Sequence, residues 1–203
     1  MKVIGWMDFI KNGLPLEGKK TSMTVGVFDG VHRGHQTLIR QVVSHNVNYI
    51  PAVVTFRQSA DKTIPGFSAQ RNIQSFQERL AVFESLGIKI TIVVDFTEEF
   101  MQMPGIEFLE VLAENGSVGF FAVGNNFRCG CRLDTSAETI KIFFVSRNIP
   151  VEIVPEVCYP AAGLPADGLS ADEEKSLPIS SSRIRTAIAA GDILLAQAML
   201  GRN

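Results

Sequence analysis

The sequence predicts an α/β protein: a Rossmann-like, doubly wound parallel sheet of about five strands. Two observations predict it. Short apolar runs rich in β-branched and aromatic residues alternate with longer segments of helical periodicity, the pattern of parallel strands buried on both faces and their crossover helices. The turn after the first such run also leads straight into a helical pattern, at the place where open α/β sheets bind ligands.

The strand patterns are "MTVGVF" (23–28), "IPAVVTF" (50–56), "IKITIVVDF" (88–96), "VGFFAVG" (118–124) and "IPVEIVPEV" (149–157). Between them lie the helical patterns "HQTLIRQVVSH" (35–45), "QRNIQSFQERLAVFESLG" (70–87), "IEFLEVLAEN" (106–115) and "AETIKIFFVSRN" (137–148). In the second of these, Ile73, Phe76, Leu80 and Phe83 form one apolar stripe, and Gly87 suits the C-terminal end. Residues 158–178, rich in proline and glycine with an acidic cluster, read as a flexible loop long enough to act as a lid. Residues 179–203 resume helix, with serines suited to an N-cap and a Gly191-Asp192 break between two short helices. The 203 residues are expected to form one domain.

Composition narrows the function. Hydrophobic residues make up 46% and charged residues 20%, enough for a full core, and the formal net charge of -2 gives no broad basic footprint for nucleic acid. No apolar stretch approaches the roughly 18 to 20 residues of a membrane helix. Asp8 and Lys11 interrupt any signal-peptide core, so a cytoplasmic enzyme acting on small molecules is expected, with no nucleic-acid or membrane partner and an oligomeric state left open. Cys129, Cys131 and Cys158 are too few for a disulfide scaffold and lie far from the histidines, so they read as unpaired thiols.

The chemistry concentrates in "VGVFDGVHRGH". Gly26, Gly30 and Gly34 let the backbone approach a ligand, and the helix that follows presents unpaired N–H groups to an anion. His32 and His35 add donors, and Val27, Phe28 and Asp29 complete the turn.

These residues carry a resemblance. "GVFDGVHRGH" resembles the G-x-F-D-x-x-H-x-G-H signature of the nucleotidyltransferase superfamily, "ISSSRIR" (179–185) is similar to its I-S-S-T-x-x-R motif, and "VGNNFRCG" (123–130) resembles the V-G-x-[DN]-F-x-F-G segment of bacterial FAD synthetases. "FTEEF" (96–100) and "AAGDILLAQAMLGR" (189–202) continue the likeness, which spans roughly residues 22 to 202. The family is the FMN adenylyltransferase module of the bifunctional riboflavin kinase/FAD synthetases.

The resemblance implies the HxGH nucleotidyltransferase fold and adenylyl transfer from ATP to FMN, giving FAD and pyrophosphate. It implies catalytic roles for His32, His35 and Arg185. Gly26, Val27, Phe28, Asp29, Gly30, Gly34, Ser181 and Ser182 would hold ATP and its phosphates. Arg57, Asn126, Phe127 and Arg128 would belong to the flavin and nucleotide pocket. Magnesium is expected, with Asp134 or Glu138 as candidate ligands.

Two departures stand out. The family's T-F-x-P-H-P is "TFRQSA" here, where Arg57 supplies a cation and Gln58 or Ser59 a hydrogen bond. The sequence stops at "LGRN", so no riboflavin kinase activity is expected. Alternatives are a nucleotidyltransferase acting on another phosphorylated small molecule and a flavin-nucleotide binding protein that has lost turnover.

Overall fold

The structure, a computed structural model, describes residues 1–57, 72–160 and 176–202. In chain order its elements are β1 (Lys2–Gly5), α1 (Trp6–Asn12), β2 (Lys20–Val25), α2 (Arg33–Ser44), β3 (Tyr49–Arg57), α3 (Phe76–Ser85), β4 (Ile90–Asp95), α4 (Glu98–Gln102) and α5 (Gly105–Asn115). There follow β5 (Val118–Gly124), β6 (Arg128–Cys129), β7 (Thr135–Ser136), α6 (Ala137–Val145), β8 (Val151–Val154), β9 (Cys158–Pro160), β10 (Ser176–Pro178), α7 (Ser181–Ala189) and α8 (Ile193–Leu200).

Six strands form one sheet in the order β1-β4-β3-β2-β5-β8, and every neighbouring pair is parallel. The chain steps from β2 outward through β3 to β4, then returns to place β5 on the other side of β2. The crevice beyond the carboxyl ends of β2 and β5 is therefore the switch point of a doubly wound sheet.

Strand periodicity divides the core between the two faces. On one face Val53 and Phe120 meet Leu38, Ile39 and Val42 of α2 and Phe83 of α3. On the other, Ala52, Val54, Ile92 and Phe121 meet Trp6 and Phe9 of α1, Phe108 and Leu112 of α5, and Ile140 and Phe144 of α6. A third cluster joins α7 to α8 through Ile184, Ala187, Ala196 and Met199, with Ile73 packed against it.

The structure corrects several boundaries. The first predicted strand ends at Val25, not Phe28, because the backbone turns left-handed at Phe28 (φ 55°). The helix expected over 70–87 starts at Phe76. Ser75 accepts from Glu78 N–H while the Glu78 carboxylate accepts from Ser75 N–H, a capping box that fixes the start, and residues 70 and 71 lie outside the described set. Gly87 follows the helix end with φ 101°, the left-handed geometry a terminating glycine supplies.

β1 and α1 are additions to the five expected strands and their helices. The ends of the 158–178 segment are not loop: Cys158 pairs with Pro178 and Pro160 with Ser176 in an antiparallel ribbon. Whether its centre acts as a lid lies outside the described residues.

Candidate active site

The turn from β2 to α2 is tethered at every carbonyl from Val27 to His32. Val27 O accepts from Arg79 Nη1 (2.7 Å) and Thr55 Oγ1 (3.2 Å). Phe28 O accepts from Val31 N, and Asp29 O from Ser181 Oγ at 2.8 Å. Gly30 O accepts from Arg202 Nη2 (2.5 Å), and Val31 O from Gln36 Nε2 and Arg202 Nη1 (both 3.0 Å). His32 O accepts from Gln36 N inside the helix.

Because C=O and N–H point in opposite directions across a trans peptide, the N–H groups of Phe28, Gly30 and His32 face away from these tethering donors. In the first turn of α2 the N–H groups of Arg33 and Gly34 have no intrahelical acceptor. They lie in the turn and first helical residues at the positive N-terminus of α2, where backbone donors suit an anion.

That geometry requires strain. Phe28 (φ 55°) and Val31 (φ 36°) adopt left-handed backbone without being glycine, each at a cost on the order of 1–3 kcal/mol, while Gly30 (φ 80°) adopts it freely. Gly26 is needed for close approach: a Cβ there would meet the Phe28 ring at 2.9 Å.

His32 and His35 sit side by side at this terminus, with stacked rings 3.6 Å apart. His32 is the N-cap of α2, its Nδ1 accepting from His35 N at 3.4 Å, so a neutral His32 carries its proton on Nε2. Burial, followed by Arg202, pushes its pKa down to about 4 against the opposing pull of Asp29. His35 packs edge-on against Phe28 (5.2 Å), and burial, then His32 and Arg79, hold it well below the ordinary histidine range. Both imidazoles are therefore neutral near pH 7.

Asp29 is 2% exposed. Its carboxylate accepts from Ile73 N (3.0 Å) and from Arg185 Nη2 (2.6 Å), joining β2, the start of the α3 segment and α7. Gly26, Val27, Phe28, Asp29, Gly30, His32, Gly34, His35, Ser181 and Arg185 thus gather in one place. Ser182 stands one position along α7, exposed, its carbonyl accepting from Thr186.

The remaining sequence candidates lie elsewhere around the crevice. Arg57, exposed at the end of β3, pairs with Asp95 at 3.7 Å and lies over the Phe76 ring. Gln58 and Ser59 lie outside the described residues. Asn126, after β5, donates to Glu156 at 2.8 Å, Phe127 packs partly buried against the main core, and Arg128 is exposed on β6.

Asp134 is occupied by structure: it accepts from Gly105 N at the start of α5 (3.1 Å) and from Thr135 Oγ1 (2.9 Å). Glu138 is exposed in the first turn of α6. Among the described residues no three His, Cys, Asp or Glu side chains gather as a metal site. Cys129 is buried, and burial, then Asp134, raises its thiol to about 12, which leaves it protonated and inert.

Two arginines of the site are not among the candidates read from the sequence. Arg79 is 1% exposed and donates through Nη1 to Val27 O, Thr55 Oγ1 and Phe56 O. Its stripe position was visible: Phe76, Arg79 and Phe83 recur at core spacing, so an arginine falls where an apolar residue is expected. Arg202 lies just beyond α8, at the end of the segment "AAGDILLAQAMLGR" that resembles the family, but nothing in that segment pointed to the site.

Comparison with known proteins fits this arrangement. The profile of the FAD synthetase family matches residues 15–164. The chain belongs to the FAD synthetase family.

A relative from Geobacillus thermodenitrificans (strain NG80-2) is 30% identical over 190 residues, spanning 93% of each chain. The bifunctional riboflavin kinase/FMN adenylyltransferases of Haemophilus influenzae and Buchnera aphidicola are 26% and 22% identical over 89% and 90% of this chain. The chain spans 55% of the length of each of these two relatives.

Among solved structures, a Streptococcus pneumoniae protein described as a macrolide-efflux protein superposes with TM-score 0.77 and 26% identity, over 100% of this chain and 62% of its own. A pantoate-beta-alanine ligase from Francisella tularensis superposes with TM-score 0.53 and 13% identity, over 79% of this chain and 69% of its own, and shares the fold. In this chain the Rossmann-like sheet carries the two histidines and the tethered turn at its switch point. No helix among the described residues is long and apolar enough to cross a membrane.

Proposed function

We propose that this chain transfers the adenylyl group of ATP to FMN, releasing pyrophosphate and forming FAD. The observation that carries the proposal is the tethered turn: backbone N–H groups, a helix N-terminus and two neutral histidines converge on one point, and the family names the reaction. In this reaction the FMN phosphate oxygen attacks the α-phosphorus of ATP in line, and the bond to the pyrophosphate oxygen breaks. No covalent intermediate with the protein is needed, so catalysis is positioning and charge stabilisation.

His32 donates from Nε2 to a phosphate oxygen, and a neutral imidazole does so without first releasing a proton. His35, stacked on it, stabilises the charge that develops at the α-phosphate. Ser181 sets the turn through Asp29 O. Arg185, anchored on Asp29, holds the departing pyrophosphate together with Ser182, with the forked and permanently charged donors suited to that task. Asn126, Phe127, Arg128 and Arg57 line the flavin side of the crevice.

Magnesium takes few protein ligands, and the exposed Glu138 is the candidate carboxylate that makes no structural hydrogen bond to a backbone N–H among the described residues. Asp29 and Asp134 are each engaged by a backbone N–H donor, and magnesium would come with ATP, neutralising the triphosphate. A cytoplasmic setting supplies ATP and keeps the three thiols reduced.

The test is an assay of FMN with α-labelled ATP and magnesium, read for FAD and pyrophosphate, with riboflavin as the control acceptor. FAD formed from FMN alone is the expected result. Pure protein that forms none at saturating substrates would refute the proposal.

A further inference from the structure

We propose that Arg202 is a positioning residue for ATP: its guanidinium clamps the strained Gly30–Val31 peptides and thereby keeps the backbone N–H groups of the turn aimed at the triphosphate. This deepens the proposed function and rests on it for the identity of the ligand.

Three observations converge on Arg202. Its Nη1 reaches Val31 O at 3.0 Å, and its Nη2 reaches both Gly30 O at 2.5 Å and Gln74 Oε1 at 2.6 Å. The two carbonyls flank the sharpest part of the turn, where Gly30 and Val31 hold φ of 80° and 36°. A β-branched residue persists in that conformation only where its surroundings over-determine it.

The clamp is reinforced beside Arg202. Leu200 O accepts from Gln36 Nε2 at 2.7 Å, and Gln36 also donates to Val31 O, so the end of α8 is tied to α2 and the turn together. Leu200 packs near Gly30, where an added Cβ would meet its side chain at 3.3 Å.

With both terminal nitrogens bonded to protein oxygens, Arg202 acts through the loop and not as a phosphate ligand. In this it differs from Arg185, which reaches the site through a carboxylate. The consequence is selective: loosening the clamp changes how the turn meets ATP and leaves the flavin side, at the end of β3 and in the segment after β5, as it was.

The experiment compares wild type with Arg202→Ala, Arg202→Lys and Met199→Ala, the last removing a fully buried side chain of α8 that touches no turn carbonyl. Magnesium-ATP affinity is measured by calorimetry, KM and kcat for FAD formation with each substrate varied, Tm by thermal melting, and amide hydrogen exchange over residues 26–35. Arg202→Ala is expected to weaken ATP binding and kcat/KM for ATP roughly 10- to 100-fold, the scale of one lost charge-assisted hydrogen bond, with faster exchange across the turn. KM for FMN should move less than about twofold, Arg202→Lys should recover part of the loss, and Met199→Ala should lower Tm without weakening ATP binding comparably.

The inference is overturned if ATP affinity follows Tm equally in Arg202→Ala and Met199→Ala, for that is a structural role alone. It is overturned equally if ATP affinity falls while exchange over 26–35 is unchanged, which would make Arg202 a direct ligand, or if affinity does not fall. A wild type that binds ATP and forms no FAD refutes the proposed acceptor, while the affinity and exchange comparisons still decide the role of Arg202.

Discussion

Replacing His32 by asparagine should flatten part of the acid sensitivity of this protein. The folded state holds His32 at about 4, mainly through burial, whereas the unfolded chain holds it near 6.5. Between those values the unfolded state binds more protons, so the stability contribution is intact above pH 6.5 and is lost as pH falls towards 4. Integrating the linkage for one such group gives about 1.3 kcal/mol lost between pH 7.5 and 5.5 and about 3 kcal/mol over the whole window.

Asparagine is a strong N-cap residue and can accept from His35 N–H, so His32→Asn removes the titration while keeping the helix start. Urea unfolding at pH 7.5 and 5.5, in both proteins, is the assay. His35 shifts in the same direction mainly through its own burial, which the variant keeps, so the difference between the two pH slopes reports His32 together with its coupling to His35. Wild type should lose about 1.3 kcal/mol more than the variant. Equal losses would refute a His32 whose burial disfavours its charged form.

Three further outcomes follow from the same geometry. Arg185→Ala should lower kcat/KM for ATP on the order of 10- to 100-fold, with Arg185→Lys intermediate, in steady-state FAD formation. Gly130→Ala should destabilise by about 3 kcal/mol in chemical denaturation, since a Cβ there collides with Gly105 N and Asp134 Oδ1 at a φ of 82°. Ser75→Ala removes the capping box of α3 and should cost about 1 kcal/mol of stability while leaving kcat near wild type.

Much of the fold was legible because buried parallel strands are continuous apolar runs, and "VGFFAVG" matched its strand residue for residue. β1 was not, since only Ile4 of its four residues is buried and an edge strand gains its place from β4, not from its own pattern. The helix expected over 70–87 was overextended because the Ile73–Phe83 stripe continues through residues whose capping chemistry ends the helix at Ser75. Ile73 instead packs against the C-terminal helices and offers its N–H to Asp29.

In the site, the histidines were legible because paired imidazoles in a glycine-bearing turn at a strand end have few structural uses. The strained backbone was not: Phe28 and Val31 carry no glycine-like signal, and the turn is held in part by donors more than 20 residues away, Thr55 and Arg202 among them. Arg79 and Arg202 escaped for the same reason, since an arginine on a helix or just beyond one resembles a solvated charge until tertiary contacts engage it.

The tethering of the turn has a consequence for synthesis on the ribosome. The sheet from β1 to β8 and its flanking helices are complete by Val154, and N-terminal parts of a chain can organise as they emerge. The donors that set Asp29, Gly30 and Val31, however, come from Ser181, Arg185 and Arg202, and these are translated only after the whole sheet. A nascent or prematurely ended chain would carry a nearly finished scaffold with an unset nucleotide turn. Competence to bind ATP would then report that translation has passed residue 202, a built-in safeguard against half-made molecules that sequester nucleotide.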